Sequence, residues 1–466
     1  MTEKIVRSLH ESKAARWIAL ILVAFTMMAG YFFTDVISPI EGVLSKTLHW
    51  DGAQFGAVTG NYSFFNIVGF LLIGGIILDK LGIRYTGTLF TAIMIIGASL
   101  KLYAVSDYFN QGGFGYDFFN SFWTDILPSA KLATIGFAIF GLGCEMAGVT
   151  VTRIIVKWFE GKEMALAMGL QVALARLGTG GAFLLSPRLA GDSFAFKAVL
   201  LGAVFVCVGF RCFLVYTILD VKVVKELNTR ATTSSQEEEP FRISDVGRLL
   251  TNNGFLYISL LCVLFYSCVF PFIKFAASIL ANKFQIATTT ASDIVFYLPF
   301  GTILFTPLFG SLLDKKGKGA SLMILGSVLL ILAHFIFMYA PAEIAFAYLG
   351  IFILGIAFSL VPAAMWPSVP KVCPKNRLGT GYALIFWIQN LGLWAFPMLI
   401  GYIREKSNPG ITKLIQDGRS DVYYDYTNPE LMLVLVGVLA LVFAFLLKFE
   451  DKKKNYGLEI PNIKSE

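Results

Sequence analysis

Two oppositely charged side chains stand inside long apolar runs of this sequence. Glu145 lies near the middle of one run and Arg176 near the middle of the next, so antiparallel helices would carry them at one depth. They could neutralise each other as a static ion pair. Alternatively, Arg176 could bind a carboxylate as a bidentate fork while Glu145 binds an ammonium group. The central position of both residues favours this second interpretation, which predicts a site for a small zwitterion.

Other polar and aromatic residues of the apolar runs extend this candidate site. Gln389 and Asn390 carry amides that need hydrogen-bond partners inside hydrocarbon, either from a ligand or from another helix. Five aromatic residues could line a cavity, although an aromatic side chain in such a run more often packs against helices or lipid. These residues are Tyr31, Tyr266, Phe270, Trp366 and Trp387, of which we assign Tyr31, Tyr266 and Trp366 to the site.

Asp35 and Lys274 form a second candidate pair. They lie in the outward-facing parts of the first and seventh predicted helices, which occupy equivalent positions in the two halves of the chain. Either the two residues bind each other as an outer gate, or each faces water near its helix end. A charge within a bilayer costs about 2.5–3.5 kcal/mol on insertion scales, so Arg153 and Arg211 are further candidates, without an assigned role.

The composition requires a lipid environment for the elements that carry these residues. Of 466 residues, 56% are hydrophobic and 15% are charged, and the mean hydropathy is +0.70. Soluble chains carry about 25% charged residues. The three histidines are scattered and the six cysteines lack metal-ligand spacing, so we expect no enzyme, no metal site and no cofactor. The net charge of +7 comes from basic residues between the apolar runs, which indicates membrane orientation and not nucleic-acid binding.

Apolar runs of about 20 residues predict an all-α integral membrane protein with twelve transmembrane helices in two pseudo-symmetric six-helix bundles. The predicted helices cover 16–38, 54–78, 84–105, 131–157, 161–188, 195–219, 254–281, 288–313, 319–340, 342–366, 378–404 and 429–449. The first bundle covers residues 1–219, a cytoplasmic linker covers 220–253, and the second bundle with a short cytoplasmic tail covers 254–466. The bias of basic residues toward one side predicts that both termini are cytoplasmic.

One loop motif occurs once in each half. Residues 75–84 read Gly-Ile-Ile-Leu-Asp-Lys-Leu-Gly-Ile-Arg, and residues 310–318 read Gly-Ser-Leu-Leu-Asp-Lys-Lys-Gly-Lys. The copies are separated by about half the chain, which predicts two halves related by an axis along the membrane normal. The Asp of such a turn can sit at the N-terminus of a neighbouring helix, and breaking these contacts would release one half from the other. The motif residues assigned to gating are Asp79, Lys80, Arg84, Asp314 and Lys315.

With this loop signature, G-x-x-x-D-[RK]-x-G-[RK], the sequence resembles the major facilitator superfamily. Further stretches look like its branch of lysosomal dipeptide uniporters and their bacterial relatives. They cover 140–145, 157–163, 169–178, 269–273, 365–367, 378–382 and 388–393. The resemblance implies transport of dipeptides by alternating access, with Glu145 and Arg176 holding the peptide backbone. It also implies tolerance of varied peptide side chains.

The sequence departs from that branch at two positions. Phe137 stands where most relatives begin the fourth-helix signature with Arg, and Lys274 has no counterpart. The transport mode is therefore open between uniport and proton coupling. The outer loops lack an N-x-[ST] sequon and the N-terminus lacks an acidic dileucine signal, which favours a bacterial inner membrane.

The expected partners are a small-molecule substrate, foremost a dipeptide, and the lipid bilayer. Proton coupling and an accessory subunit are left open, and we expect a monomer. Two alternatives remain at this point. One is a facilitator of another small solute, such as an organic anion, a sugar or a drug, and the other is a membrane receptor that transports nothing.

Overall fold

The computed structural model describes residues 12–159, 162–228, 243–374, 377–419 and 421–461, and within these ranges the chain is helical and has no strand. We number the membrane-crossing helices α1 to α12. They are α1 (Lys13–Asp35), α2 (Gly52–Gly60, the 3-10 turn Asn61–Ser63, Phe64–Ile67 and residues 70–81), α3 (residues 83–104), α4 (Pro128–Phe159), α5 (Met164–Ala190), α6 (Ala195–Asn228), α7 (Asn253–Phe284), α8 (Thr288–Lys316), α9 (Gly319–Tyr339), α10 (Ile344–Val372), α11 (Leu378–Ser407) and α12 (Thr427–Lys454).

Shorter helices occupy the connections. They are the 3-10 turn Ser38–Ile40 and the helices Glu41–Leu48, Asp107–Asn110, Tyr116–Asn120, Ile243–Leu250 and Ile411–Gln416. Helix starts follow capping chemistry: Ser12 accepts a hydrogen bond from the Ala15 N–H at α1, and Asn252 caps the first turn of α7. These caps satisfy backbone donors that a bilayer would leave unpaired.

The second and third crossings are joined without a loop. With Phe70–Ala104 taken as one helix, eleven helices of the described chain are long and apolar enough to cross a membrane. The run nevertheless reverses at Gly82, whose φ of 75° and ψ of 174° are not helical. Asp79 contacts Arg153 near the end of α4, whereas Gly97 packs on Phe140, nearer the start of α4. The described chain therefore makes twelve crossings.

Helix α2 is broken near its middle, and the prediction of one continuous helix over 54–78 is wrong. The 3-10 turn Asn61–Ser63 interrupts it, and Gly69 adopts a φ of 95° before the helix resumes. Gly141 of α4 allows the break to pack closely, because a Cβ there would lie 2.0 Å from the carbonyl oxygen of Tyr62. The break turns the Tyr62 side chain toward α4.

The linker between the halves begins later in the chain than predicted. Helix α6 continues to Asn228, through residues assigned to the linker. Asp220 holds this extension in place, since Arg84 and Lys157 bind its carboxylate at 2.6 and 2.7 Å. The short helix Ile243–Leu250 precedes α7, and residues 229–242 of the predicted linker lie outside the described residues.

The bundle has two ends, which we name by their contents. The terminal face holds the start of α1 and the end of α12, and the loop face holds residues 36–51, 105–127 and 408–426. Ion pairs join the two halves at the loop face: Arg404 binds Glu41 at 2.6 Å, and Arg188 binds Asp293 at 2.8 Å. This face is closed in the structure.

The backbones of α2 and α11 touch near the loop face. A Cβ atom on Gly401 would lie 1.8 Å from the carbonyl oxygen of Gly52, and one on Gly56 would lie 2.3 Å from the carbonyl oxygen of Pro397. Only hydrogen fits at these positions. The close contact between the two halves therefore depends on glycine, as in other small-residue packing of membrane helices.

Replacing Gly401 by leucine is expected to separate α2 from α11 and to lower the free energy of unfolding by about 1–3 kcal/mol, the usual cost of overpacking. Denaturant unfolding of the purified protein in detergent measures this loss. Gly169→Leu is the matched control, because a Cβ at exposed Gly169 of α5 meets no atom within 4 Å. Equal losses in both variants would contradict the prediction.

At the terminal face, the first loop motif binds within its own half. Asp79 pairs with Arg153 at 2.6 Å instead of sitting at a helix N-terminus, and Arg84 binds Asp220 on α6. Both expectations for this copy, a helix-terminus contact for the Asp and contacts that tie the halves together, are therefore wrong for this conformation. The reason is that α4 places Arg153 beside the turn. Lys80 is exposed.

The second loop motif is held by the segment after α12. Gly317 adopts a φ of 69°, and the N–H groups of Lys318 and Gly319 donate to the carbonyls of Glu459 and Leu458 at 3.0 and 2.8 Å. The Glu459 carboxylate accepts from the Ser321 N–H at 2.8 Å, so it caps α9. Within the motif itself, Asp314 is partly buried and Lys315 is exposed.

Candidate functional site

Arg176 of α5 lies between aromatic rings from both halves. Its guanidinium carbon is 5.9 Å from the ring centre of Tyr31 on α1, 5.7 Å from Phe270 on α7 and 4.9 Å from Phe358 on α10. Aromatic faces attract the guanidinium but accept none of its N–H groups in a conventional hydrogen bond. In the part of the chain that the structure describes, Arg176 forms no hydrogen bond or ion pair. Its fork of donors is therefore available to a carboxylate.

Glu145 of α4 is bound by a residue that the sequence analysis missed. The Tyr62 hydroxyl donates to Glu145 Oε1 at 2.9 Å. Tyr62 reaches this position because α2 is broken around it, and its ring packs against Phe137 and Phe140. The sequence signal was the polar cluster of Asn61, Tyr62 and Ser63 inside an apolar run.

Glu145 and Arg176 do not form a static ion pair. No nitrogen–oxygen distance of 4.0 Å or less joins them in the described structure. Their helices pack against the same part of α1, since a Cβ on Gly30 would lie 3.0 Å from Cys144 Sγ, next to Glu145, and one on Gly178 of α5 would lie 2.1 Å from the Met28 carbonyl oxygen. Glu145 and Arg176 therefore stand on helices that flank the same stretch of α1, and they are not engaged with each other.

Aromatic residues of the second half form a wall beside Arg176. Tyr266 stacks on Phe270 with ring centres 5.5 Å apart, and its hydroxyl accepts from Trp366 Nε1 at 3.0 Å. Phe358 contacts both Tyr266 and Phe270 edge to face. The structure therefore brings Tyr266 and Trp366 together next to the charged residues.

Gln389 and Asn390 serve helix contacts in this conformation, one of the two roles open to them. Asn390 Oδ1 accepts from Asn66 Nδ2 of the first half at 3.2 Å, and Asn390 Nδ2 donates to the Phe386 carbonyl at 2.9 Å. Gln389 Oε1 lies 3.8 Å from Cys262 Sγ of α7. Both amides are buried. Asn390 adds a polar contact between the halves, while Glu145 and Arg176 remain the groups open to a ligand.

Asp35 and Lys274 bind each other across the two halves. Lys274 Nζ lies 2.5 Å from Asp35 Oδ1 and 3.1 Å from the Thr34 carbonyl oxygen, and Thr179 donates to Asp35 Oδ2 at 2.9 Å. Their side chains are 7% and 10% exposed, so neither faces bulk water. The pair lies toward the loop face and links α1 to α7.

A buried arginine completes the closure of the loop face. Arg404 is fully buried, binds Glu41 and Glu405 at 2.6 and 2.9 Å, and lies against the ring of Tyr424. Burial raises the pKa of Tyr424 to about 12, so its phenol stays protonated beside the cation. Glu405 also accepts from the Gly52 N–H at 2.8 Å. The sequence did not predict a function for this cluster.

Arg153 and Arg211, left without a role by the sequence, differ in the structure. Arg153 pairs with Asp79 at the terminal face, as described above. Arg211 is exposed on the surface of α6 and has no partner among the described residues. It belongs to neither cluster.

The family model of the Major Facilitator Superfamily matches residues 20–397 and 276–459. The chain belongs to the Major Facilitator Superfamily. It is a multi-pass membrane transporter and not an enzyme, and the resemblance predicted from the two loop motifs is confirmed.

Named relatives agree with this assignment. The chain is 27% identical to the lysosomal dipeptide transporter MFSD1 of Mus musculus over 401 residues, which cover 84% of this chain and 80% of the relative. The Homo sapiens protein of the same name gives the same identity and coverage. That of Gallus gallus is 30% identical over 294 residues, covering 61% of this chain and 63% of the relative.

Solved structures share the fold. The nucleoside transporter NupG superposes with a TM-score of 0.69 at 14% identity, covering 92% of this chain and 99% of that one. A bacterial homologue of the lysosomal transporter Spinster, in an inward-facing conformation, gives 0.68 at 17% identity, covering 95% and 98%. These likenesses confirm the all-α facilitator fold.

Proposed function

We propose that this chain transports dipeptides or similar small zwitterionic peptides by alternating access. The observation that carries the proposal is the pair of opposite charges at the centre of the bundle, Glu145 and Arg176, which are not bound to each other. The relatives named as dipeptide transporters support the same substrate class. The distant structural neighbours contribute the fold and not a substrate.

Each end of the substrate has a partner of matching charge in this proposal. Arg176 binds the terminal carboxylate through its fork of N–H donors, and Glu145 with Tyr62 binds the terminal ammonium. An extended dipeptide spans about 7 Å, which suits charges that lie beyond 4.0 Å of each other. The aromatic wall around Tyr266 and Trp366 receives the peptide side chains without a charge that would select among them.

Gating follows from the contacts at the two faces. The ion pair of Asp35 with Lys274 closes the loop side of the site, and the two residues must move apart when the loop face opens. The loop-motif residues Asp79, Lys80, Arg84, Asp314 and Lys315 act on the terminal face, which we propose to be cytoplasmic together with both termini. We propose further that the protein works as a monomer in a bacterial inner membrane, by uniport or by proton coupling.

Dipeptides are expected to stabilise the purified protein against thermal unfolding. Ligand at about 100 times its Kd adds about 2.7 kcal/mol to the free energy of unfolding. The matched controls are the same peptide with an acetylated amino group, an amidated carboxylate, or both, since each block removes one proposed contact. Stabilisation by sugars or organic anions, with none by dipeptides, would favour a carrier of another small solute.

A further inference from the structure

A groove runs between α8 and α10 in the second half of the protein. Its volume is about 500 Å³, within the range of about 300–1,000 Å³ that is usual for small-molecule sites. Apart from two tyrosine hydroxyls, the side chains that line it are apolar. Each wall contains two aromatic residues and one glycine at helical spacing. The wall residues are Tyr297, Gly301 and Phe305 of α8, and Tyr348, Phe352 and Gly355 of α10.

The two glycines of the walls leave space between the helices. A Cβ on Gly301 would meet only the ring of Phe305, at 3.8 Å, and one on Gly355 would meet only Leu298 Cδ1, at 3.7 Å. A larger side chain would therefore fit at either position, unlike at Gly401, where only hydrogen fits. Protein interiors normally fill such space, and glycine disfavours a helix relative to alanine. An occupant of the groove would account for both glycines.

The groove opens toward the hydrocarbon of the bilayer. Tyr297, Tyr348 and Phe352 are 53%, 46% and 54% exposed, although they belong to helices long and apolar enough to cross a membrane. They lie in the parts of α8 and α10 next to the loop face, and that face is closed by ion pairs such as that of Arg404 with Glu41. Their exposed surfaces are therefore on the outside of the bundle, where lipid is the available ligand.

The two tyrosines mark the end of the groove nearest the loop face. Their ring centres are 6.2 Å apart, and the deeper pair Phe305 and Phe352 has ring centres 5.9 Å apart. Tyr348 is the fifth of the 29 residues of α10. Because about 20 residues cross the hydrocarbon core, both phenols lie near its boundary, where tyrosine is enriched. Neither hydroxyl has a hydrogen-bond partner among the described residues.

We propose that this groove binds one phospholipid from the leaflet next to the loop face. One acyl chain lies along Gly301 and Gly355, and the ester carbonyl at its head accepts hydrogen bonds from Tyr297 and Tyr348. The wall from Tyr297 to Phe305 covers about 12 Å of chain, at 1.5 Å per residue. The lipid is a bound ligand of the transporter and not its cargo, so its binding does not depend on the proposed dipeptide.

Filling the groove is expected to remove this lipid. Delipidated protein in detergent is titrated with palmitoyl-oleoyl-phosphatidylglycerol, and native mass spectrometry counts the lipids that remain bound. Gly301→Leu should lower the affinity of one bound lipid at least about tenfold, because several methylene groups lose their apolar contacts. Gly301→Ala and Gly301→Val should give smaller losses in order of side-chain size. Gly355→Leu fills the groove from the opposite wall and should act like Gly301→Leu.

Gly310→Leu is the matched control and should bind lipid like the parent. Gly310 lies on the same helix outside the groove, and a Cβ there meets no atom within 4 Å. Thermal unfolding without added lipid should show that the groove variants are as stable as the parent, since their side chains enter open space.

The tyrosine contact distinguishes a phospholipid ester from any other apolar chain. The parent should bind the diester lipid about tenfold more tightly than its dialkyl-ether analogue, which lacks the carbonyl acceptors of two hydrogen bonds. Combining Tyr297→Phe with Tyr348→Phe should abolish this preference. Equal binding of the two lipids by the parent would contradict the proposed headgroup contact.

Equal lipid binding by Gly301→Leu, Gly355→Leu and Gly310→Leu would overturn the proposal, because the retained lipid would then lie elsewhere. Retention of detergent that phospholipid does not displace would reduce the groove to binding of an adventitious additive only. A dimer that dissociates in Gly301→Leu would instead assign the groove to a second copy of the chain. None of these measurements contains a dipeptide, so a negative result leaves the proposed transport function untouched.

Discussion

Replacing Arg176 by alanine is expected to abolish stabilisation by dipeptides. A charge-assisted hydrogen bond contributes about 1.5–3 kcal/mol, so loss of a bidentate contact weakens binding by a factor of a hundred or more. At a ligand concentration of about 100 times the parent Kd, the stabilisation falls from about 2.7 to about 0.4 kcal/mol. Thermal-shift titration and uptake into proteoliposomes both measure this loss.

Three further variants separate charge, geometry and unspecific damage. Arg176→Lys retains the charge but loses the planar fork and its contact with the rings, so an intermediate loss of about tenfold is expected. Arg211→Ala removes an exposed arginine of α6 and should bind dipeptides like the parent. Glu145→Gln should weaken binding of free dipeptides while leaving N-acetylated ones unaffected. If Arg176→Ala weakened the binding of C-amidated and free peptides by the same factor, Arg176 would not be the residue that binds the peptide carboxylate.

Removing Arg404 is expected to have the largest effect on the closed conformation. Arg404→Met leaves Glu41 and Glu405 without their cation, and breaking a buried ion pair in this way costs about 3–5 kcal/mol. The loop face should therefore open, or the protein should become less stable by that amount. Spin labels at the exposed residues Lys46 and Lys413, one in each half, measure the opening, and denaturant unfolding measures the stability.

The cause of this loss can be separated from a loss of packing. Combining Arg404→Met with Glu41→Gln and Glu405→Gln removes all three charges and should recover most of the stability, since no unpaired carboxylate remains. Arg419→Met is the matched control: its pair with Asp421 is 57% and 63% exposed, and such a pair contributes less than about 1 kcal/mol. If the triple variant were as unstable as Arg404→Met, shape and not charge would explain the effect.

The architecture was accessible to sequence because its signals are long and repeated. Apolar runs of spanning length predict each helix, and the paired loop motifs around Asp79 and Asp314 identify the family. Charge inside a run selected Glu145 and Arg176 as candidates. Equivalent placement in the two halves offered the pairing of Asp35 with Lys274 as one of two interpretations, and the structure shows that pairing. Each of these signals is local or is repeated at a fixed separation.

Other features depend on contacts that the sequence does not encode locally. The break in α2 requires Gly69 to adopt a positive φ, which an apolar run with a glycine does not specify. Tyr62 reaches Glu145 only through that break. Lys101, which is buried near the end of α3, and Arg404 both stand near helix ends, where a basic side chain ordinarily extends to the lipid headgroups. Their burial results from neighbouring helices and loops that cover those ends in the folded bundle.

The two loop motifs share a sequence but differ in what holds them. Side-chain charges of Arg153 and Asp220 secure the first, and salt weakens such exposed or partly exposed pairs. Hydrogen bonds to the backbone carbonyls of Leu458 and Glu459 secure the second, and salt weakens such uncharged contacts little. Raising the ionic strength should therefore loosen the terminal face of the first half. Ending the chain before Leu458 should loosen the terminal face of the second half. An experimenter can thus perturb either half of this transporter while leaving its counterpart intact.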